Sequence, residues 1–185
     1  MSLLPRAFWF LRHGETDWNA KNLSQGNVDI PLNANGRAQA VAAAAMLRHS
    51  GIATIVASPL SRAHDTALAV AAETGLPVSL DEGLREVSFG VQEGQPMSQW
   101  FSDWVEGKFT PENAETFAAL RARAVAAINR ALALPAPVLV VAHGALFRAV
   151  RAEMGLEPNV RTANAMPFFC RPGTPWDLIA AADLR

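Results

Sequence analysis

The sequence predicts an α/β fold: a three-layer sandwich with a mostly parallel central sheet and helices on both faces. Three observations predict it. Two short runs, AFWFL at 7–11 and VLVVA at 138–142, are apolar throughout and lack the alternation of a half-exposed strand, so they read as strands covered on both sides. The stretches between them carry helical spacing, and strands alternating with helices imply parallel strands joined by right-handed crossovers. The 185 residues are 50% apolar and 18% charged, which suits one domain with its own core and argues against a disordered linker.

Along the chain, 7–11 supplies the first strand. Residues 36–49 are rich in alanine, the best helix former, and stop before Gly51, which predicts a helix. TIVA at 54–57 is a weaker copy of the two central runs, and Pro59 suits the first turn of a helix running to about residue 74. PVSL at 77–80 and WDLI at 176–179 suit edge strands. The clearest helix is 113–134, where Phe117, Leu120, Ala124, Ile128 and Ala131 form a stripe that leaves Arg121, Arg123 and Arg130 outside it. After 138–142, a further helix runs from Gly144 to about residue 154.

Segment 88–112 breaks the alternation. It mixes Gly90, Gly94, Pro96, Gly107 and Pro111 with Phe89, Trp100, Phe101, Trp104 and Phe109, and is predicted to be a lid-like insertion with one short helix on a single domain spanning 1–185. Its aromatic residues either wall the site or pack the insertion onto the domain, with packing expected for at least half of them. The apolar run 166–170 is a candidate homodimer interface.

Sixteen basic and seventeen acidic residues leave a net charge of −1, so no broad basic surface for nucleic acid or an anionic membrane is expected. The run at 7–11 is too short for a secretion signal or a membrane span and ends in Arg12-His13, which leads to the expectation of a cytoplasmic protein. The lone cysteine, Cys170, is expected to be a buried structural thiol, and His49 and His64 surface residues.

Both strong runs end in histidine followed by glycine, as Arg12-His13-Gly14 and His143-Gly144. One such pair is as readily a strand cap as a site. Two of them on parallel neighbours would aim both imidazoles into the crevice beyond the strands' carboxyl ends, with glycine letting backbone N–H groups approach an anion. Arg62 falls about one turn into the helix after 54–57, where a guanidinium and a helix N-terminus reinforce each other; alone it would be a solvated surface charge. Arg12, beside a buried strand, needs a partner. Arginine forks match phosphate oxygens and an imidazole can attack phosphorus in line, so these four residues suit phosphoryl transfer. A leaving alkoxide needs a proton, and Glu86 is the best-placed carboxyl. Its need to be protonated predicts better turnover somewhat below neutral pH. The motifs of other chemistries are missing: there is no His-x-His or His-Glu-x-x-His, Trp176 stands where a cysteine phosphatase would need arginine, and Gly107-Lys108 lacks the Walker spacing.

With these residues in place, the chain resembles the histidine phosphatase superfamily, the phosphoglycerate mutase-like family. The signature stands as Arg12-His13-Gly14-Glu15-Thr16 with Trp18-Asn19. The likeness continues through Gln25-Gly26, Asp29, Pro31-Leu32, Gly36, Ser58-Pro59-Leu60, Arg62-Ala63, Thr66-Ala67, Leu84-Arg85-Glu86, Phe89-Gly90, Glu93-Gly94, Glu115-Thr116 and Val140-Val141-Ala142-His143-Gly144. The resemblance implies that His13 is the nucleophile and forms a phosphohistidine. It implies that Arg12, Arg62 and His143 bind the phosphoryl group with help from Asn19, Gln25, Gly26 and Gly144, and that Glu86 is proton donor and then base. It also implies a phosphorylated small-molecule substrate and neither metal nor cofactor. Leu23, Gln92 and Asp65 depart from frequent family residues near the pocket rim, which puts substrate transfer from a named relative in doubt. The short stretch between Glu86 and His143 favours hydrolysis over the mutases, whose extra segments there close the site. A non-catalytic phosphate-binding module is the reading from another class.

Overall fold

The two apolar runs become the two central strands. In the computed structural model, which describes residues 1–184, β1 (Phe8–Arg12) and β4 (Val138–Ala142) lie side by side in parallel, with every residue of both buried. The sheet has six strands in the order β3-β2-β4-β1-β5-β6, where β2 is Thr54–Ala57, β3 Val78–Leu80, β5 Pro167–Arg171 and β6 Asp177–Ala180. Pairs among the first four are parallel, and β5 alone runs opposite, antiparallel to both β1 and β6, so the sheet is mostly parallel. Both expected edge strands lie at its edges.

Strand alternation sorts the core into two layers. Phe8, Phe10, Val138, Val140 and Ala142 share one layer with the buried faces of α4 (Gln99–Val105), α5 (Phe117–Leu132) and α6 (Gly144–Glu153), where Phe10 stacks on Phe147 at 3.8 Å between centroids. Trp9, Leu11, Leu139 and Val141 share the other with α2 (Ala34–Leu47) and α3 (Ser61–Thr74). The alanines predicted to favour a helix also let α2 approach the core closely, since Ala40, Ala43 and Ala44 are its buried residues along with Gly36 and Leu47. Among the described residues no helix is long and apolar enough to cross a membrane.

Two helix starts are corrected and two elements were not foreseen. The run 166–170, offered as a candidate interface, mostly forms β5, a strand not foreseen, which exchanges backbone hydrogen bonds with β1 and β6 on its two edges and leaves Phe168 and Phe169 half-buried; Pro167, which hid it, sits at its first residue, where a missing N–H is tolerated. Pro59 precedes its helix, because α3 begins at Ser61 with Leu60 in the extended cap conformation. The 113–134 helix starts later, at Phe117: Asn113 has φ 60° and Thr116 caps the helix by accepting from Ala119 N at 3.1 Å. The short helix α1 (Asp17–Ala20), held by a capping box of Thr16 and Asn19, was not foreseen.

Segment 88–112 supplies the expected short helix, α4. Trp104 is fully buried, meets Phe89 edge-on at 5.0 Å and Phe117 at 5.2 Å, and donates its indole N–H to the Glu115 carbonyl at 2.9 Å. Trp100 and Phe101 are also buried, and only Phe109 stands exposed. The segment is therefore pinned by aromatic packing. The face it turns to the cavity carries Phe89, Met97 and Phe101.

Candidate active site

Three adjacent parallel strands deliver their next residues to one edge of the sheet: β1 leads to His13, β4 to His143 and β2 to Ser58. Backbone bonds from His13 N to Ala142 O and from Ser58 N to Val141 O, each 3.0 Å, carry the ladder one step beyond the strands. The two imidazole centroids stand 5.3 Å apart. The turn after His13 is close against the start of α2: a Cβ on Gly14 would come within 2.3 Å of the Gly36 carbonyl oxygen. Gly14 N donates instead to Thr66 Oγ1 at 3.0 Å.

A cavity of about 330 Å³ opens at this edge, with Arg12, His13, Arg62 and Glu86 in its wall. The His13 tautomer follows from geometry. Its Nδ1 lies 2.7 Å from the Gly14 carbonyl oxygen, which only accepts, so Nδ1 carries the hydrogen and Nε2 keeps its lone pair. Burial, then the charges of Arg62 and Arg12, hold this imidazole well below its ordinary pKa of 6.5, so it is neutral at physiological pH.

His143 is completely buried behind that wall and is not one of the cavity-lining residues. Its Nε2 lies 2.7 Å from Ser58 Oγ, while its Nδ1 is buried with no partner. Ser58 Oγ also accepts from Leu60 N at 3.3 Å, which ties the hydroxyl beside His143 to the start of α3. Burial, followed by Arg62, pushes this imidazole well below 6.5 as well.

The two guanidiniums are half committed. Arg62, fully buried, donates from Nη1 to Val28 O at 2.7 Å and from Nη2 to Gly26 O at 2.8 Å. Arg12 donates from Nη1 to Thr162 O at 2.6 Å. Both Nε–H groups are buried and unpaired. Burial pulls each arginine down to about 10, against the attraction of Glu86, so both stay charged. Gly26 holds φ at 50°, which lets its carbonyl face Arg62, and a Cβ on Gly144 would press on Arg12 Nε at 3.2 Å.

Glu86 lies at the N-terminus of α6, where its Oε2 accepts from Ala145 N at 2.9 Å and its Oε1 from Leu146 N at 2.9 Å and Val87 N at 3.0 Å. The loop carrying it is held from behind by Arg123, which pairs with Glu115 and donates to the carbonyls of Gly83 and Arg85 at 2.9 and 2.8 Å. Asn19 and Gln25 also line the cavity. Asn19 Oδ1 accepts from Thr16 N and Asn164 Nδ2, each at 3.2 Å, and Gln25 Oε1 from Thr16 Oγ1 at 2.6 Å, which leaves both amide nitrogens for a ligand. Every residue expected at the site is thus gathered there, with His143 one layer deeper than expected.

Sequence reasoning missed Ser58, Asn164 and Thr162 as supports, and Arg148 and Arg161 as lining residues. For Arg148 a signal existed, since it falls within the first turns of the helix after His143. Loop 155–166 carries no periodicity and gave none. Cys170 is buried as expected, with its thiol pushed up by burial, and His49 is exposed. Among the described residues no group of three or more His, Cys, Asp or Glu is gathered as metal ligands.

Comparison with known proteins agrees with this arrangement. A probable phosphoglycerate mutase of Yersinia enterocolitica is 39% identical over 164 residues, covering 82% of this chain and 76% of the relative. Among solved structures, a mycobacterial glucosyl-3-phosphoglycerate phosphatase complexed with VO3 superposes with a TM-score of 0.81 at 32% identity, over 94% of this chain and 97% of that one. A phosphoserine phosphatase of Entamoeba histolytica in complex with 3-phosphoglyceric acid gives 0.77 at 25%, over 89% of each chain. The family model that matches residues 8–164 spans both His-Gly turns, Arg62 and Glu86. That shared frame makes the chain a member of the histidine phosphatase superfamily, branch 1.

Proposed function

We propose that the protein hydrolyses small-molecule phosphomonoesters through a phosphohistidine formed on His13. The observation that carries this reading is the pair of unpaired, buried donors beside His13, the Nε–H of Arg12 and that of Arg62. Buried donors without partners are costly, about 1–3 kcal/mol each, and a phosphoryl group supplies the oxygens that satisfy them. His13 Nε2, neutral and held by the Gly14 carbonyl, attacks phosphorus as the ester P–O bond breaks. Glu86 Oε2, which has a single N–H partner, is the oxygen with room for a proton, and it gives that proton to the leaving alkoxide. Glu86 then takes a proton from the water that attacks phosphorus, returning His13 and releasing inorganic phosphate. The guanidiniums keep their charge throughout and stabilise the equatorial oxygens of the transition state.

The relatives bear on substrate. Two carry phosphatase names with phosphoglycerate or phosphoserine in them, and one is a probable mutase. Phosphoryl transfer to a second phosphoglycerate is the alternative that the Yersinia relative favours. The test is phosphate release from p-nitrophenyl phosphate and a panel of metabolite monoesters, with trapping of an acid-labile phosphoenzyme. Release no faster than by His13→Ala would refute hydrolysis. Isomerisation of 3-phosphoglycerate without net release would select the transferase instead.

A further inference from the structure

We propose that the same cavity contains a second anion subsite, made by Arg148 and Arg161, which selects phosphomonoesters whose leaving group carries a carboxylate. This rests on the phosphoryl site assigned above and adds a class of substrate to it. The cavity wall holds four arginines, Arg12, Arg62, Arg148 and Arg161, and a single carboxylate, Glu86. None of the four forms an ion pair with a carboxylate within 4.0 Å among the described residues, although Arg48, Arg121, Arg123, Arg130 and Arg171 all do. A phosphoryl dianion answers Arg12 and Arg62. Two like charges are then left facing one cavity in a chain whose net charge is −1.

Arg148 is built rather than loose. Its guanidinium lies 4.6 Å from the centroid of the Phe101 ring, and its Nη1 donates to Asn159 Oδ1, while Asn159 Nδ2 donates to Ser102 Oγ at 3.1 Å. The plane of the fork is thereby fixed, with its remaining N–H groups unassigned. Nearby acids are engaged elsewhere: Glu153 pairs with Arg121, and Glu157 accepts from Asn159 N. Arg161 stands exposed at the rim, close enough for its charge to act on both Arg148 and Arg12, whereas Arg62 feels Glu86, Asp29, Glu93 and Arg85. Arg148 and Arg161 therefore extend the positive wall on the Arg12 side. Glu86 lines the same cavity as all four arginines and is held at the N-terminus of α6, the helix that also carries Arg148, so the proton donor and the second locus share one element.

A carboxylate suits this subsite better than a second phosphate. The N–H groups of Ala145 and Leu146 at the start of α6 are already taken by Glu86, so they offer no cradle for a dianion. A planar fork with one N–H spent matches a planar monoanion.

The test compares 3-phosphoglycerate with glycerol 3-phosphate, which differ only in a carboxylate against a CH2OH group. The wild type should prefer the acid by at least about tenfold in kcat/KM, a typical gain for charge-assisted pairing. Arg161→Met and Arg148→Met should each move that ratio towards one. Arg161 is exposed, so its variant will fold, and melting curves will check Arg148→Met. A wild-type ratio near one, or a ratio unchanged in both variants, overturns the proposal. A preference for fructose 1,6-bisphosphate over fructose 6-phosphate that exceeds the carboxylate preference overturns the choice of carboxylate. Calorimetric binding of both three-carbon phosphate esters to His13→Ala reads the subsite separately from turnover. Equal affinities there refute the subsite, while tighter binding of the acid with no turnover by wild type refutes only the hydrolytic reading.

Discussion

Acidification from neutrality to about pH 5 should destabilise the protein by an amount set by two imidazoles. His13 and His143 are 2% and 0% exposed, and both are held neutral well below the ordinary value of 6.5 by burial and by nearby arginines. An unfolded chain returns both to ordinary behaviour, so below pH 6.5 it binds two protons that the folded chain refuses. Stability is then flat above this value and falls as pH drops below it, by about 1.4 kcal/mol per pH unit for each histidine. At about pH 5 this amounts to at most about 2 kcal/mol each and about 4 kcal/mol together, a sizeable share of the usual stability of a domain. Asp81, held below its ordinary 3.8 chiefly by its hydrogen bond from Arg130, loses its contribution only at more acid pH and does not blur the window. Urea unfolding between pH 8 and 5 measures the slope. The double variant His13→Gln, His143→Gln should remove it, and each single variant should halve it. A wild type equally stable at both ends, or a double variant with the wild-type slope, would show that the imidazoles are not the buried neutral bases described here.

Ser58→Ala removes the hydroxyl that holds His143 through Nε2 and should lower kcat/KM by about tenfold, with a melting temperature that falls only modestly; unchanged kinetics would show that this contact does not position His143 for the reaction. Arg123→Leu releases Glu115 and the carbonyls of Gly83 and Arg85 behind Glu86, so steady-state kinetics should show kcat dropping more than KM rises, together with a stability loss of about 1–3 kcal/mol. Gly14→Ala and Gly144→Ala should separate cleanly. The first meets a backbone oxygen at 2.3 Å and should reduce stability by about 1–3 kcal/mol, and the second presses on Arg12 Nε at 3.2 Å and should weaken phosphate binding more than it lowers Tm. Inorganic phosphate at about 100 times its Kd should stabilise the fold by about 2.7 kcal/mol against chloride of equal ionic strength, and Arg62→Met should abolish the shift in thermal unfolding.

The parts of this site that are legible in the sequence are those attached to regular elements. Runs 7–11 and 138–142 announce buried strands because a parallel strand needs apolar residues on both faces, and the polar residue after each one stands out. That contrast exposed Arg12, His13 and His143, and the helix after 54–57 exposed Arg62. Strand β5 was hidden because Pro167 and two phenylalanines are equally the mark of a surface patch. Only its position between β1 and β6 decides the matter. Residues of loop 155–166 were illegible for a different reason. Thr162 serves through its backbone carbonyl, which any residue possesses, and Asn164 through an amide reaching the His13 carbonyl across 151 positions of chain.

The charge balance of the chain and the charge of its cavity have one physical explanation. A buried guanidinium normally ends in an ion pair, because a lone charge in a poorly solvated place is expensive. Arg12 and Arg62 end instead on neutral carbonyls, of Thr162, Gly26 and Val28, which hold the forks in place without cancelling their charge. A carboxylate in those positions would stabilise the empty site better and would compete with phosphate for the same N–H groups. Glu86 escapes that conflict because the backbone of α6 and Val87 N occupy its oxygens. Carbonyls orient the cations and a helix terminus holds the acid, so a site with four arginines and one glutamate can persist uncollapsed in a chain that is almost neutral. The instability stored there is what an incoming anion releases.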